Sequence, residues 1–169
     1  MTVRDRKGTA RRHQLSALAQ SAPEIIVTAT LSVETTGQGF TEITGDAAGF
    51  IAGAGAHDGV LLLFLRHTSA SLVIQENADP DVRTDLSTAL DRLAPAGAHW
   101  VHDVEGPDDM PAHVKTMLTG VSLHVPVEDG ALQLGHWQGI YLAEHRTERH
   151  RREVVLQFIG NRARSAAQP

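Results

Sequence analysis

The chain has 169 residues, 41% hydrophobic and 21% charged, with a net charge of −5 when histidine is neutral. That is the size of one domain with a real core, and the acidic balance argues against a nucleic-acid binder, which carries a basic face. Cysteine is absent, which excludes disulfides, iron–sulfur clusters, thiolate zinc sites and cysteine nucleophiles, so any transition metal must be held by His, Asp or Glu.

No apolar run approaches the ~18 residues of a membrane span. The basic opening MTVRDRKGTARRHQ leads into no apolar signal core, so a cytoplasmic protein with no membrane partner is expected. Residues 1–22 read as a disordered or loosely docked basic arm, 23–160 as a single ordered domain, and 161–169 as a flexible tail. Ile25 to Val33 is β-rich and predicts a first strand, and Thr41 to Thr44 a short second one. Asp46 to Ala54 places Ala47, Phe50, Ile51 and Ala54 on one helical face. The apolar run Gly59 to Leu65 suits a strand buried on both faces. Ser71 to Gln75 continues as a strand. Asp81 to Leu93 carries Val82, Leu86, Leu90 and Leu93 at helical spacing, with Pro80 at its start and Asp79 as its cap. Pro111 to Leu118 predicts a further helix closed by Gly120. Strands are then expected at Val121 to Val127, Leu132 to Leu134, Gly139 to Glu144 and Glu153 to Ile159. The charged stretch His145 to Arg152 reads as a solvated hairpin loop. This order is strand-rich with two or three helices and no regular β-α-β alternation, so an α+β fold is expected rather than a doubly wound sheet.

Three polar segments stand out. The first, HDVEGPDDMPAHVK from His102 to Lys115, packs two histidines, four carboxylates and a lysine into fourteen residues. Asp109 is placed to cap the helix that starts at Pro111. Lys115 reads either as a phosphate contact beside free N–H groups at a helix start or as a solvated helix lysine. His102 and His113 lie eleven residues apart, which is no metal motif by itself, although imidazoles with nearby carboxylates suit zinc and similar ions. The second segment, RHTSAS from Arg66, is a turn, or a strand end that delivers His67 and hydroxyls into a pocket. The third, LGHWQG from Leu134, brackets Trp137 and Gln138 with glycines. Trp137 reads as core or as a stacking wall, and Gln138 as a reader of a heterocycle edge or a strand bridge.

Taken together, HTSAS with ENADPDV, DDMPAHVK, and LGHWQG resemble the YjbQ-like family over about Ile25 to Gly160. The family is also described as a secondary thiamine-phosphate synthase type. The resemblance implies a sandwich-like or barrel-like core with packed helices, assembled as a homotrimer. It also implies a histidine-lined site, at or near the subunit interface, that is proposed to hold a metal. The positions that match are His67, Ser69, Glu76, Asn77, His102, Glu105, Asp109, His113, Lys115, Trp137, Gln138 and Arg146. His136 departs from the threonine usual in the family.

The activity implied by the resemblance joins a hydroxymethylpyrimidine diphosphate to a thiazole phosphate and releases pyrophosphate. In that reading Lys115, Arg146 and a divalent ion neutralise the leaving diphosphate, and Glu105 and His113 complete the catalytic set. Trp137 stacks the pyrimidine, and Ser69, Asn77 and Gln138 bind substrate. No organic cofactor is expected. The alternative is metal-assisted hydrolysis of a small substrate, with His67, His102 and His113 as ligands and Glu105 as general base. A third reading is a non-catalytic trimer that binds a metal or metabolite.

Overall fold

The computed structural model describes residues 15–163. Two antiparallel sheets and three helices share one core, an α+β arrangement. The larger sheet is ordered β1-β8-β3-β5-β6, from β1 (Ile25–Glu34), β3 (Ala56–Leu65), β5 (Ser122–Glu128), β6 (Ala131–Leu132) and β8 (Arg151–Arg162). The smaller is β2-β7-β4, from β2 (Gly39–Glu42), β4 (Ala70–Glu76) and β7 (Gln138–Glu144). Helix α1 spans Thr44–Gly53, α2 Pro80–Leu93 and α3 Asp109–Thr119. No helix among the described residues is long and apolar enough to cross a membrane. Of the expected arm, residues 1–14 lie outside the described residues, as do residues 164–169 of the expected tail, whose Asn161 and Arg162 belong to β8.

Period-two alternation builds the core. Leu61, Leu63 and Leu65 of β3 point inward with Val154, Leu156 and Phe158 of β8 and Val125 and Val127 of β5. Ala47 and Ile51 of α1 and Ile140 and Leu142 of β7 close the same core. β3 is therefore not buried on both faces, contrary to its unbroken apolar run. Val60 and Leu62 are only half-buried and Phe64 is 48% exposed, because no second layer among the described residues covers the outer face of the large sheet. Where β3 and β8 face one another at Gly59 and Gly160, a bulge lies between Ala56 and Gly59. A Cβ at Gly160 would stand 2.2 Å from the Asp58 carbonyl oxygen, so only glycine allows this approach.

The predicted helix at Asp81 is confirmed with its cap, since the Asp79 carboxylate accepts from the Asp81 N–H at 2.9 Å. Two other expectations are corrected. Asp109 does not cap α3. It is the first helical residue, only 2% exposed, while Asp108 occupies the cap position without a capping bond. Nor is His145 to Arg152 simply a solvated loop. Thr147, Glu148 and Arg149 are exposed, but His145 and Arg152 are 3% and 1% exposed. Arg152 continues the inward alternation of β8, where the buried Glu144 meets it.

Candidate functional site

Residue spacing on α3 places Asp109 and His113 one turn apart on the same face. Asp109 Oδ2 lies 3.0 Å from His102 Nε2 and 3.3 Å from His113 Nε2. Its other oxygen, Oδ1, is held by the Arg146 guanidinium. Arg146 also donates to Asp108 Oδ2 at 3.2 Å and to the Glu105 carbonyl at 2.7 Å. Burial pushes the Asp108 carboxyl up, but the Thr147 N–H and hydroxyl and the Arg146 guanidinium outweigh it and hold Asp108 below the usual carboxylate range. One arginine thus ties the His102–Asp109 loop, the start of α3 and the end of β7 into one unit. Asp109 is buried, whereas the His102 side chain is 46% exposed, so the cluster opens to solvent on its histidine side.

The hydrogen bonds assign the His113 tautomer. His113 Nδ1 lies 2.9 Å from the Thr68 carbonyl, an acceptor, so Nδ1 carries the proton. In the neutral ring Nε2 then presents a lone pair, and it faces the Asp109 oxygen at 3.3 Å. Two acceptors brought together need a shared cation, either a proton or a metal ion. A backbone carbonyl that takes the N–H of one imidazole nitrogen and leaves the other nitrogen free to ligate is how metal-binding histidines are commonly oriented, and His113 meets the first half of that arrangement through Thr68. Two imidazoles and one carboxylate form a donor set for Zn²⁺ or a similar divalent ion with open positions. The residues present therefore fit a metal, with His102, Asp109 and His113 as ligands.

His67 stands apart from this set. Its Nδ1 accepts from the Ser69 N–H at 3.2 Å and lies 3.1 Å from the Ser69 hydroxyl. Partial desolvation and the nearby Arg152 guanidinium hold His67 below its ordinary value. Of the ligand set expected as His67, His102 and His113, His102 and His113 meet at Asp109, and His67 is not among the residues whose ligand atoms gather there.

Lys115 is neither a free anion contact nor a solvated lysine. It projects from the buried face of α3, is 3% exposed, and pairs with Asp91 of α2 at 2.6 Å. Glu105 keeps an exposed carboxylate, 3.9 Å from Arg146. Ser69 is buried and accepts from Arg152 at 3.2 Å, so it supports His67 rather than facing a ligand.

Asn77, Trp137 and Gln138 lie elsewhere. Glu76 pairs with Gln138 at one end of the small sheet and Ala70 with Glu144 at the other. Six residue steps separate the two ends, about 20 Å along a strand. Asn77 donates to the Gln138 carbonyl at 3.4 Å, and the Gln138 side chain folds back to accept from the Gly135 N–H at 2.7 Å. Trp137 is 60% exposed and meets the His136 ring edge-on at 4.5 Å, which gives the departing histidine a neighbour but no place in the cluster.

Several contributors escaped the motif reading. Glu144 accepts from Arg152 at 2.6 and 2.7 Å, from the Thr35 hydroxyl at 3.0 Å and from the Arg146 N–H at 3.0 Å. Burial pushes its carboxyl up, and the Arg152 guanidinium with the Arg146 N–H outweighs this and keeps it below the usual range. His145 lies 2.7 Å from the Ser71 hydroxyl, and burial, aided by Lys115, lowers its pKa to about 4. Arg152 was detectable from its phase with Val154, Leu156 and Phe158. Asp109, named in the motif but read as a helix cap, could have been placed beside His113 from their i,i+4 relation.

The family described as UPF0047 protein YjbQ-like matches residues 28–161. A UPF0047 protein from Synechocystis is 44% identical over 131 residues, covering 77% of this chain and 89% of that protein. The UPF0047 protein YjbQ of Salmonella typhimurium is 42% identical over 132 residues, covering 78% and 96%. Among solved structures, an uncharacterised YjbQ/UPF0047 family protein from Clostridium acetobutylicum superposes with a TM-score of 0.73 at 36% identity, covering 78% of this chain and 99% of that one. A hypothetical protein from Aeropyrum pernix gives a TM-score of 0.75 at 27% identity, covering 80% and 99%. The strand-rich fold and the three motif segments have the same explanation: the chain belongs to the YjbQ-like UPF0047 family.

Proposed function

We propose that this chain is a divalent-metal enzyme that hydrolyses a small molecule at the His102–Asp109–His113 cluster, in the cytoplasm. One observation carries the reading: the Thr68 carbonyl fixes the His113 proton on Nδ1, so Nε2 and the Asp109 carboxylate face each other as two lone-pair donors 3.3 Å apart. A bound divalent ion supplies Lewis-acid polarisation and favours ionisation of water. The chain's own residues do the rest. Arg146 holds Asp109 in place, the Thr68 carbonyl orients the His113 ring, and the exposed Glu105 carboxylate is the group available to take a proton from water. Generic ester and phosphate monoester assays, with metal-free and Zn²⁺-loaded or Mn²⁺-loaded protein, test this. Metal-dependent turnover that is lost in Asp109→Asn supports hydrolysis. Turnover indifferent to chelator contradicts it.

A second reading is the transferase that joins hydroxymethylpyrimidine diphosphate to thiazole phosphate. It is favoured by the exposed Trp137 ring, a stacking face for a planar heterocycle. It is weakened by Lys115 and Arg146, the cations assigned to the diphosphate, which are both engaged by carboxylates. The homotrimer belongs with this reading. A protomer holds Trp137 and the histidine cluster at opposite ends of the small sheet, so a shared site needs a second copy. Exposed Ile26 and Phe64 on the uncovered face of the large sheet suit such packing. Direct assay of thiamine phosphate formation separates the two reactions. Stoichiometric metal binding with no turnover on either substrate class would leave a binding trimer.

A further inference from the structure

His67 and His113 are held by the two ends of one peptide group. The Thr68 carbonyl accepts from His113 Nδ1 at 2.9 Å, and the N–H of the same peptide, that of Ser69, donates to His67 Nδ1 at 3.2 Å. Carbonyl and N–H point in opposite directions from a planar peptide, so the two rings receive opposite instructions. His113 is driven to carry its proton on Nδ1 and to expose a lone pair at Nε2. His67 is driven to keep its lone pair on Nδ1 and to carry its proton on Nε2. The Ser69 hydroxyl reinforces this. Its oxygen accepts from Arg152 Nη2 at 3.2 Å, leaving its own proton to donate to His67 Nδ1 at 3.1 Å. Arg152 in turn is fixed by both oxygens of Glu144. The two Nδ1 atoms stand no more than about 8.5 Å apart, since a single peptide group joins their partners.

We propose that the Thr68–Ser69 peptide sorts these two imidazoles into different tasks: His113 ligates the metal through Nε2, while His67 presents an Nε2–H donor that binds an anionic oxygen of the substrate. The assignment of His113 rests on the metal reading above, whereas the tautomer of His67 does not. A ring whose Nδ1 is already taken by two donors and whose Nε2 bears a proton has no lone pair left for a metal. It has one N–H left for an acceptor, and among the described residues Nε2 has no hydrogen-bond partner. The ligand class that follows for the His67 N–H is an oxyanion, a phosphate or carboxylate group of the substrate.

The test is long-range ¹H–¹⁵N correlation NMR on ¹⁵N-histidine-labelled full-length protein at pH 8, first metal-free and then with Zn²⁺. The expected result is His67 with its proton on Nε2 and His113 with its proton on Nδ1 before metal is added. Zn²⁺ should then shift His113 Nε2 and leave His67 unchanged. A His67 proton on Nδ1, or a His67 Nε2 signal that moves to a metal-bound shift, overturns the proposal. If Zn²⁺ shifts neither ring, the metal reading fails while the metal-free tautomers still decide the sorting by the peptide. A binding arm uses inorganic phosphate as the probe on Zn²⁺-loaded protein. His67→Ala should weaken phosphate about tenfold, the worth of one hydrogen bond to a charged group, with Zn²⁺ affinity unchanged, and His67→Gln, which keeps a donor near the Nε2 position, should restore it. Unchanged phosphate affinity in His67→Ala, or loss of Zn²⁺ in that variant, refutes the donor role.

Discussion

His145 makes stability depend on pH in a calculable way. Its ring is buried among Ser71 of β4, Lys115 of α3, Asp91 of α2, Glu144 of β7 and Arg152 of β8, and its pKa falls to about 4, with burial the largest cause and Lys115 the next. Because the folded-state value lies below the unfolded one, the fold favours the neutral ring. As the pH drops, the unfolded chain takes up a proton near 6.5 while the folded chain does not until about 4. Stability contributed by the neutral ring is therefore complete above about pH 6.5 and is lost between there and pH 4. From pH 7 to pH 5 the loss is about 2 kcal/mol, which for a domain of this size lowers the Tm by about 6 °C. The assay is thermal unfolding by circular dichroism in chelator at both pH values, comparing wild type with His145→Gln, which keeps a partner for the Ser71 hydroxyl. The variant should lose most of this pH-dependent difference, whatever its stability at pH 7. An identical difference in the two proteins would refute the buried neutral histidine.

Two further substitutions probe the polar frame. Arg152→Leu leaves Glu144 as an uncompensated buried carboxylate and should cost about 3–5 kcal/mol in urea unfolding; a loss under 1 kcal/mol would show that water reaches Glu144. Lys115→Met keeps the buried stem, and Asp91, whose side chain is 54% exposed, regains water. Stability should change by less than about 1 kcal/mol, with turnover retained, and a large drop in turnover alone would return Lys115 to the reacting centre.

Local periodicity made much of the fold legible. The strands at Ile25, Ser71 and Glu153 and the helix capped by Asp79 lie where alternation and helical spacing placed them. What periodicity leaves out is the number of layers. The run from Val60 to Leu65 reads alike whether one or both faces are covered, and only the exposure of Phe64 shows that the outer face is left open by the described residues. The site was legible as a set of motifs but not as a geometry. His102, Asp109, His113 and Arg146 converge, while Asn77, Trp137 and Gln138 stand a strand length away, because motif proximity along the chain carries no information about which end of a strand is used. Lys115 was ambiguous because its fate is set by Asp91, twenty-four residues earlier on another helix. Arg152 was hidden in a run of charges from His145, although its phase with Val154 pointed inward.

The most direct measurement is Zn²⁺ titration by calorimetry, with elemental analysis, on untagged protein and on its Asp109→Asn and His113→Ala variants, each checked for folding by circular dichroism. The expected result is one ion per chain in the wild type and affinity reduced by about a hundredfold or more in both variants. A folded wild type that takes up no ion, or a His113→Ala variant that binds as tightly as wild type, would contradict the metal centre.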